Sequence, residues 1–277
     1  LSVTSTPLDS LAARAAAILS TSEPAEKIAL GRALAAAWRE RSIGEIGEAK
    51  APAEPARPAQ PLLLPPREMP KRRAGGSPAG RIALLHALAH IELNAIDLAW
   101  DIIARFADDA LPVEFYDDWV AVAAEEAEHH ALLAARLANF GSFYGALPAH
   151  HGLWEAAAET AHDLLARLAI VPLVLEARGL DVTPDMTLRL DRLGDSESAA
   201  ILRRIYTDEI GHVAAGRRWF EFLCAARGLE PVATYHDLVR RHFKGGLKAP
   251  FNAAGRDAAG FAAAFYAPLA AATEPRP

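Results

Sequence analysis

Two segments of this 277-residue chain place a glutamate three positions before a histidine within a long helical pattern: Glu126-Ala-Glu-His129 and Glu209-Ile-Gly-His212. Residues three apart on a helix lie about 60° apart around its axis, so carboxylate and imidazole project to one side. Two further glutamates stand alone in mid-helix among small or apolar neighbours. Glu92 has Leu88, Ala89, Ala95 and Ile96 around it, and Glu176 has Leu173 and Leu180. A glutamate so placed points into a core, where an ionised carboxylate is costly unless a cation compensates it. The spacing then repeats. Glu92 precedes Glu126 by 34 positions and Glu176 precedes Glu209 by 33. Each half therefore reads as a helical hairpin, with Glu on the first arm and Glu-x-x-His on the second.

Two such hairpins packed about a pseudo-two-fold axis bring all six side chains to one level. That is the pattern of a dinuclear carboxylate centre in a four-helix bundle. Two divalent cations cancel the charge of four carboxylates. Oxygen-rich ligation with one imidazole per metal suits iron or manganese better than copper or zinc. The expected ligands are Glu92, Glu126, His129, Glu176, Glu209 and His212. The expected cofactor is a pair of iron ions, with manganese or a mixed manganese–iron pair as alternatives.

Other residues fall around this set. Glu125 and Asp208 each precede a proposed ligand histidine by four positions, and a carboxylate on the non-ligating N–H is the usual support of a metal-bound imidazole. Tyr206, one turn before Glu209, faces the same side as a hydrogen-bond donor or as part of an oxygen pocket. A third pair, Glu159-Thr-Ala-His162, lies about 21 Å of helix from Glu176 and reads as a solvated face. His86 and His90 read as core or ligand-supporting histidines. His150-His151 sit in a turn-rich loop, either in solvent or near a substrate entrance. Cys224, the one cysteine, reads as a buried small hydrophobe rather than a nucleophile.

The elements that must position these residues are helical. Hydrophobic residues make up 52% of the chain, supplied largely by alanine and leucine with few β-branched runs, which favours helices. Residues 1–48 form a helical hairpin, from about Leu8 to Leu19 and, after Ser22 as cap, to about Arg41. Residues 49–76 form a connector that proline keeps out of helix (Pro52, Pro55, Pro58, Pro61, Pro65, Pro66 and Pro70). It acts either as a linker or, through Leu62-Leu63-Leu64, as a strap on the main domain. Residues 77–230 hold four long helices: Ser77 to about Phe106, from Pro112 to about Asn139, about Leu153 to Arg178 closed by Gly179, and from a cap at Asp195 or Ser196 to about Arg227 closed by Gly228. Pro172 should kink the third or free a carbonyl near Leu168. Residues 231–277 carry a short helix near Tyr235–Phe243 and an alanine-rich tail.

Charge and composition limit the partners. The net charge is −6, so bulk electrostatics does not point to nucleic acid. One cysteine excludes an internal disulfide and any cysteine metal cage, and suits a reducing compartment. The sequence shows no run of roughly 18 uninterrupted apolar residues, and residues 1–7 lack the profile of a secretory signal. The expectation is a cytoplasmic protein without a membrane partner, possible as a homodimer.

The run Asp208-Glu209-x-x-His212 resembles the motif of di-iron oxygenases and of the ribonucleotide reductase radical subunit, in the ferritin-like superfamily. Glu125-Glu126-x-x-His129 differs from it by Glu for Asp. Ala89-His90-Ile91-Glu92-Leu93, Tyr144-Gly145 with Pro148-Ala149-His150, and Glu176-Ala177-Arg178-Gly179-Leu180-Asp181 are similar to a bacterial ferritin-like family of unknown function. That family is grouped with a tRNA hydroxylase acting on methylthio-isopentenyladenosine. The resemblance implies an all-α ferritin-like bundle and an O2-dependent hydroxylase or oxygenase of a small or medium organic substrate, served by a reductase. Iron handling without turnover is one alternative. Action on tRNA is another, weakly supported by the basic clusters Lys71-Arg72-Arg73 and Arg240-Arg241.

Overall fold

The computed structural model describes residues 10–65, 68–69, 76–108, 110–244 and 246–271. The expected helix start at Leu8 and the Lys71-Arg72-Arg73 cluster lie outside them. Among the described residues the fold is all-α apart from one short ladder and an isolated bridge between Leu247 and Ala270, and the chain packs into two compact units, residues 1–155 and 156–277.

The first unit begins with α1 (Leu11–Leu19) and α2 (Pro24–Arg39). Ser10 caps α1 by accepting from the Ala13 N–H. The cap of α2 is not the expected Ser22: Glu23 holds that position without a side-chain bond, and Pro24 at the first turn supplies the start instead. The proline-rich segment that follows is a strap. Ala56 N–H donates to the Leu19 carbonyl, and β1 (Leu63–Leu64) pairs in parallel with β2 (Ala149–His150). The Leu62–Leu64 stretch docks through its backbone, while the Leu62 side chain stays exposed.

The core of this unit is α3 (Pro78–Arg105) against α4 (Val113–Asn139), with α1 on α3 and α2 on α4. Ser77 caps α3 through the Gly80 N–H. The short connection is fixed by Tyr116, whose hydroxyl accepts from the Asp108 N–H and donates to the Asp108 carbonyl. Although its sequence shows no unbroken apolar run, α3 is long and apolar enough by composition to cross a membrane. In this fold 67% of its most apolar window is buried in protein, the arrangement of a core helix.

In the second unit the expected third helix is broken. α5 (Gly152–Ala158), which begins in the first unit, ends before the turn at 159–163; α6 (Leu164–Ile170) then leads into a π-helical turn, Val171–Glu176, and α7 (Ala177–Arg192). Asp163 restarts the helix by accepting from the Leu165 and Ala166 N–H groups. Pro172 lies in the first turn of the π segment. Its missing N–H and its ring forbid the ordinary ladder, and widening the helix accommodates both. The helix also runs past Gly179, because nothing there requires a left-handed residue. The turn comes at Gly194, with φ +72. Asp195 caps α8 (Ser196–Ala226) through the Ser198 N–H, as expected, and Gly228 follows with φ +64. α9 (Pro231–His242) starts four residues earlier than expected because Pro231 opens it and Glu230 caps it. α10 (Ala253–Ala258) and α11 (Ala263–Tyr266) complete the fold.

Candidate metal centre

In the first unit α3 and α4 bring three of the expected ligands together. One donor atom from each of Glu92, Glu126 and His129 lies within 4.8 Å of the others. All three are buried, at 3%, 0% and 0% exposure. The His129 Nδ1 is turned to both carboxylates, 3.3 Å from Glu92 Oε2 and 3.4 Å from Glu126 Oε2. Burial and the neighbouring Glu126 charge push the Glu92 carboxyl well above the usual range. Burial opposes a charge on His129, but its bonds to Glu126 and Glu92 outweigh that and raise it to about 11. Two carboxylates and one imidazole converging in a dry interior could hold a metal ion, and on giving up its extra proton the imidazole would complete an N,O donor set that suits a hard or borderline divalent metal.

The second unit holds the other three. On α8, Glu209 is 8% exposed and His212 1%. His212 Nδ1 lies 3.6 Å from Glu209 Oε2. The two Glu-x-x-His pairs therefore share one local geometry, each presenting Nδ1 to the Oε2 of its own glutamate. Glu176 ends the π turn and is half-buried. Three residues on, a Cβ built on Gly179 would stand 3.9 Å from Glu209 Cδ, so the first turn of α7 lies against that carboxyl.

The supporting residues fall as follows. Glu125 is half-buried on α4. Asp208 accepts from Arg204 Nε at 2.6 Å. The Tyr206 hydroxyl accepts from Asn252 Nδ2 at 3.0 Å and packs beside Gly255 of α10. Cys224 is fully buried, and burial pushes its thiol up to about 11. Glu159 and His162 are not on a helix at all but in the turn before α6.

Spacing on α3 carries a second signal, of which only His86 and His90 stand out in the sequence. His86, His90, Asn94, Asp97 and Asp101 recur every three or four residues, and all five are buried. His86 Nε2 accepts from the Gly145 and Leu147 N–H groups, at a loop residue with φ +107 that only glycine adopts readily. His90 donates from Nε2 to the His150 carbonyl and accepts at Nδ1 from the Tyr144 hydroxyl, 2.9 Å each. That bonding suits the neutral ring, and burial holds His90 down at about 4. Asp97 lies between Lys27 of α2 and Arg57 of the strap. Arg57 also donates to Asn94, and Arg105 joins Asp101 to the Pro52 carbonyl. This seam fastens the strap to the helix that carries Glu92.

A family model described as "Protein of unknown function (DUF455)" matches residues 20–267, and the chain belongs to that family. It is 41% identical over 206 residues to an "Uncharacterized protein" of Haemophilus influenzae, covering 73% of this chain and 71% of the relative. No solved structure matches it.

Proposed function

We propose that the chain is a ferritin-like dinuclear-metal oxidoreductase, loaded with iron and using O2 to hydroxylate or oxygenate an organic substrate. One observation carries the proposal: Glu92, Glu126 and His129 converge in the interior, and the second unit repeats the same Glu-x-x-His geometry at Glu209 and His212. A dinuclear centre requires both sets to serve one site, and the number of metal ions per chain tests that requirement.

The chain's residues have distinct roles in it. Glu92, Glu126, Glu176 and Glu209 would hold the metals through oxygen, and His129 and His212 through Nδ1. Each carboxylate offers two oxygens, so the four can bind terminally or bridge. Once bound, the metals supply the electrons and open positions that O2 chemistry needs. A single buried thiol fits residence in a reducing compartment such as the cytoplasm.

Metal content after expression with iron tests the proposal directly. About two metal ions per chain are expected, falling sharply in both Glu126→Ala and Glu209→Ala. Less than about half an ion per chain, unchanged by either substitution, would refute a metal centre. With two ions established, O2 consumption in the presence of a reductant distinguishes an oxygenase from an iron-handling protein.

A further inference from the structure

The pair Glu159-x-x-His162 takes no part in the candidate centre, yet the second unit gives it a partner. His162, exposed in the turn before α6, stands against His242, the last residue of α9. Their ring centres are 5.5 Å apart, with planes tilted by 48°. Two imidazoles bound to one tetrahedral ion through bonds of about 2.0–2.1 Å have ring centres roughly 5 Å apart. The pair is therefore close to the geometry in which both rings hold one metal.

The surroundings favour a cation of that kind. Glu159, three residues before His162 in the same turn, is exposed and lies near enough to act on His242 electrostatically. Asp163 adds negative charge without being a ligand, since it already receives Arg227 Nη1 at 2.9 Å and caps α6. His242 also stands at the carbonyl end of α9, where the helix dipole is negative and attracts cations. Against these, Arg241 lies nearby. Burial, His162 and Arg241 together hold the His242 imidazole below its usual range, against Glu159 and Asp163.

We propose that His162 and His242, with Glu159, form a peripheral site for a borderline divalent ion such as zinc, separate from the glutamate-rich centre. Imidazole nitrogen selects zinc, copper or nickel over magnesium or calcium. Metal there would clamp the end of α9 to the turn that starts α6.

The test is a zinc titration of the iron-loaded full chain against a chromophoric chelator, using zinc chloride alone as the probe. Wild type, His162→Ala, His242→Ala and Glu159→Gln would be compared. The expected result is one zinc equivalent in wild type that both histidine variants lose, with weaker binding in Glu159→Gln. Zinc should also raise the Tm of wild type and leave that of the histidine variants unmoved. Iron content should be the same in all four proteins, so failure here is distinguishable from failure of the dinuclear centre. Equal zinc uptake in all four proteins, no uptake by wild type, or loss in only one histidine variant would overturn the clamp.

Discussion

Glu92, Glu126 and His129 project from two unbroken helices, whereas Glu176 rides at the end of a π-helical turn built around Pro172. The first set is held by a buried polar seam, with Lys27, Arg57 and Asp97 tying two neighbouring segments to α3. The second set is held by close apolar approach. Gly216 of α8 packs so tightly on the Pro172 ring that a Cβ there would fall 2.3 Å from Pro172 Cβ. The same residue pattern is thus presented by two kinds of support. Ligand spacing in a sequence marks which positions face inward, and it leaves open whether charge or contact fixes the backbone beneath them.

The charged support is the more costly to break. Asp97→Ala would leave Lys27 and Arg57 beside each other without their shared anion, and removing one partner of a buried ion pair costs about 3–5 kcal/mol. Urea denaturation should show a loss of that size. Hydrogen exchange should locate it: amides of α3 and α4 should lose protection before those of α8. Uniform loss along the chain would mean that the seam supports more than the first unit.

Removing the close approach is expected to cost less. Gly216→Ala drives a methyl group into the Pro172 ring, which cannot rotate away, with the Leu173 side chain beside it. Overpacking of this kind costs about 1–3 kcal/mol. The loss should centre on α8 and the π turn, and Pro172→Ala in the same chain should recover part of it. A Gly216→Ala protein as stable as wild type would show that the two helices separate easily, and the contrast between the two supports would fail.

Much of this architecture was legible from local chemistry. Ser77 and Asp195 mark helix ends by satisfying orphan backbone N–H groups on the spot, Pro78 by removing one such donor, and Gly228 by adopting a positive φ. The six expected ligands stood out because glutamate is rare on an apolar helix face. Less legible was whatever depends on distant partners. The break at 159–163 depends on Asp163 capping a new helix, a role that its place in an alanine-rich run conceals. Gly179 carried a helix-end signal that the packing of α7 overrides. The seam on α3 was written in the spacing of His86, His90, Asn94, Asp97 and Asp101. Its meaning came only from Lys27, Arg57 and Tyr144, each more than 30 residues away in the chain or more.

The surface offers the smallest test of whether charge matters only when buried. Arg41 and Asp117 form a bidentate pair at 2.7 Å, and Trp38 Nε1 donates to the same carboxylate. The geometry is as good as in the seam, but the side chains are 54% and 35% exposed. The bond from Arg41, helped by Trp38 and opposed by partial burial, holds Asp117 below its ordinary value of 3.8. A depressed carboxylate contributes stability above its unfolded pKa and loses it as pH falls through the folded value. Solvent screening limits that contribution to about 0–1 kcal/mol. Asp117→Asn should therefore shift the urea midpoint slightly at pH 7, less in high salt, and hardly at all at the acid end, where wild type has lost the same charge. A shift that persists undiminished into acid would assign the effect to the Trp38 hydrogen bond, which asparagine can still accept only in part, rather than to the ion pair.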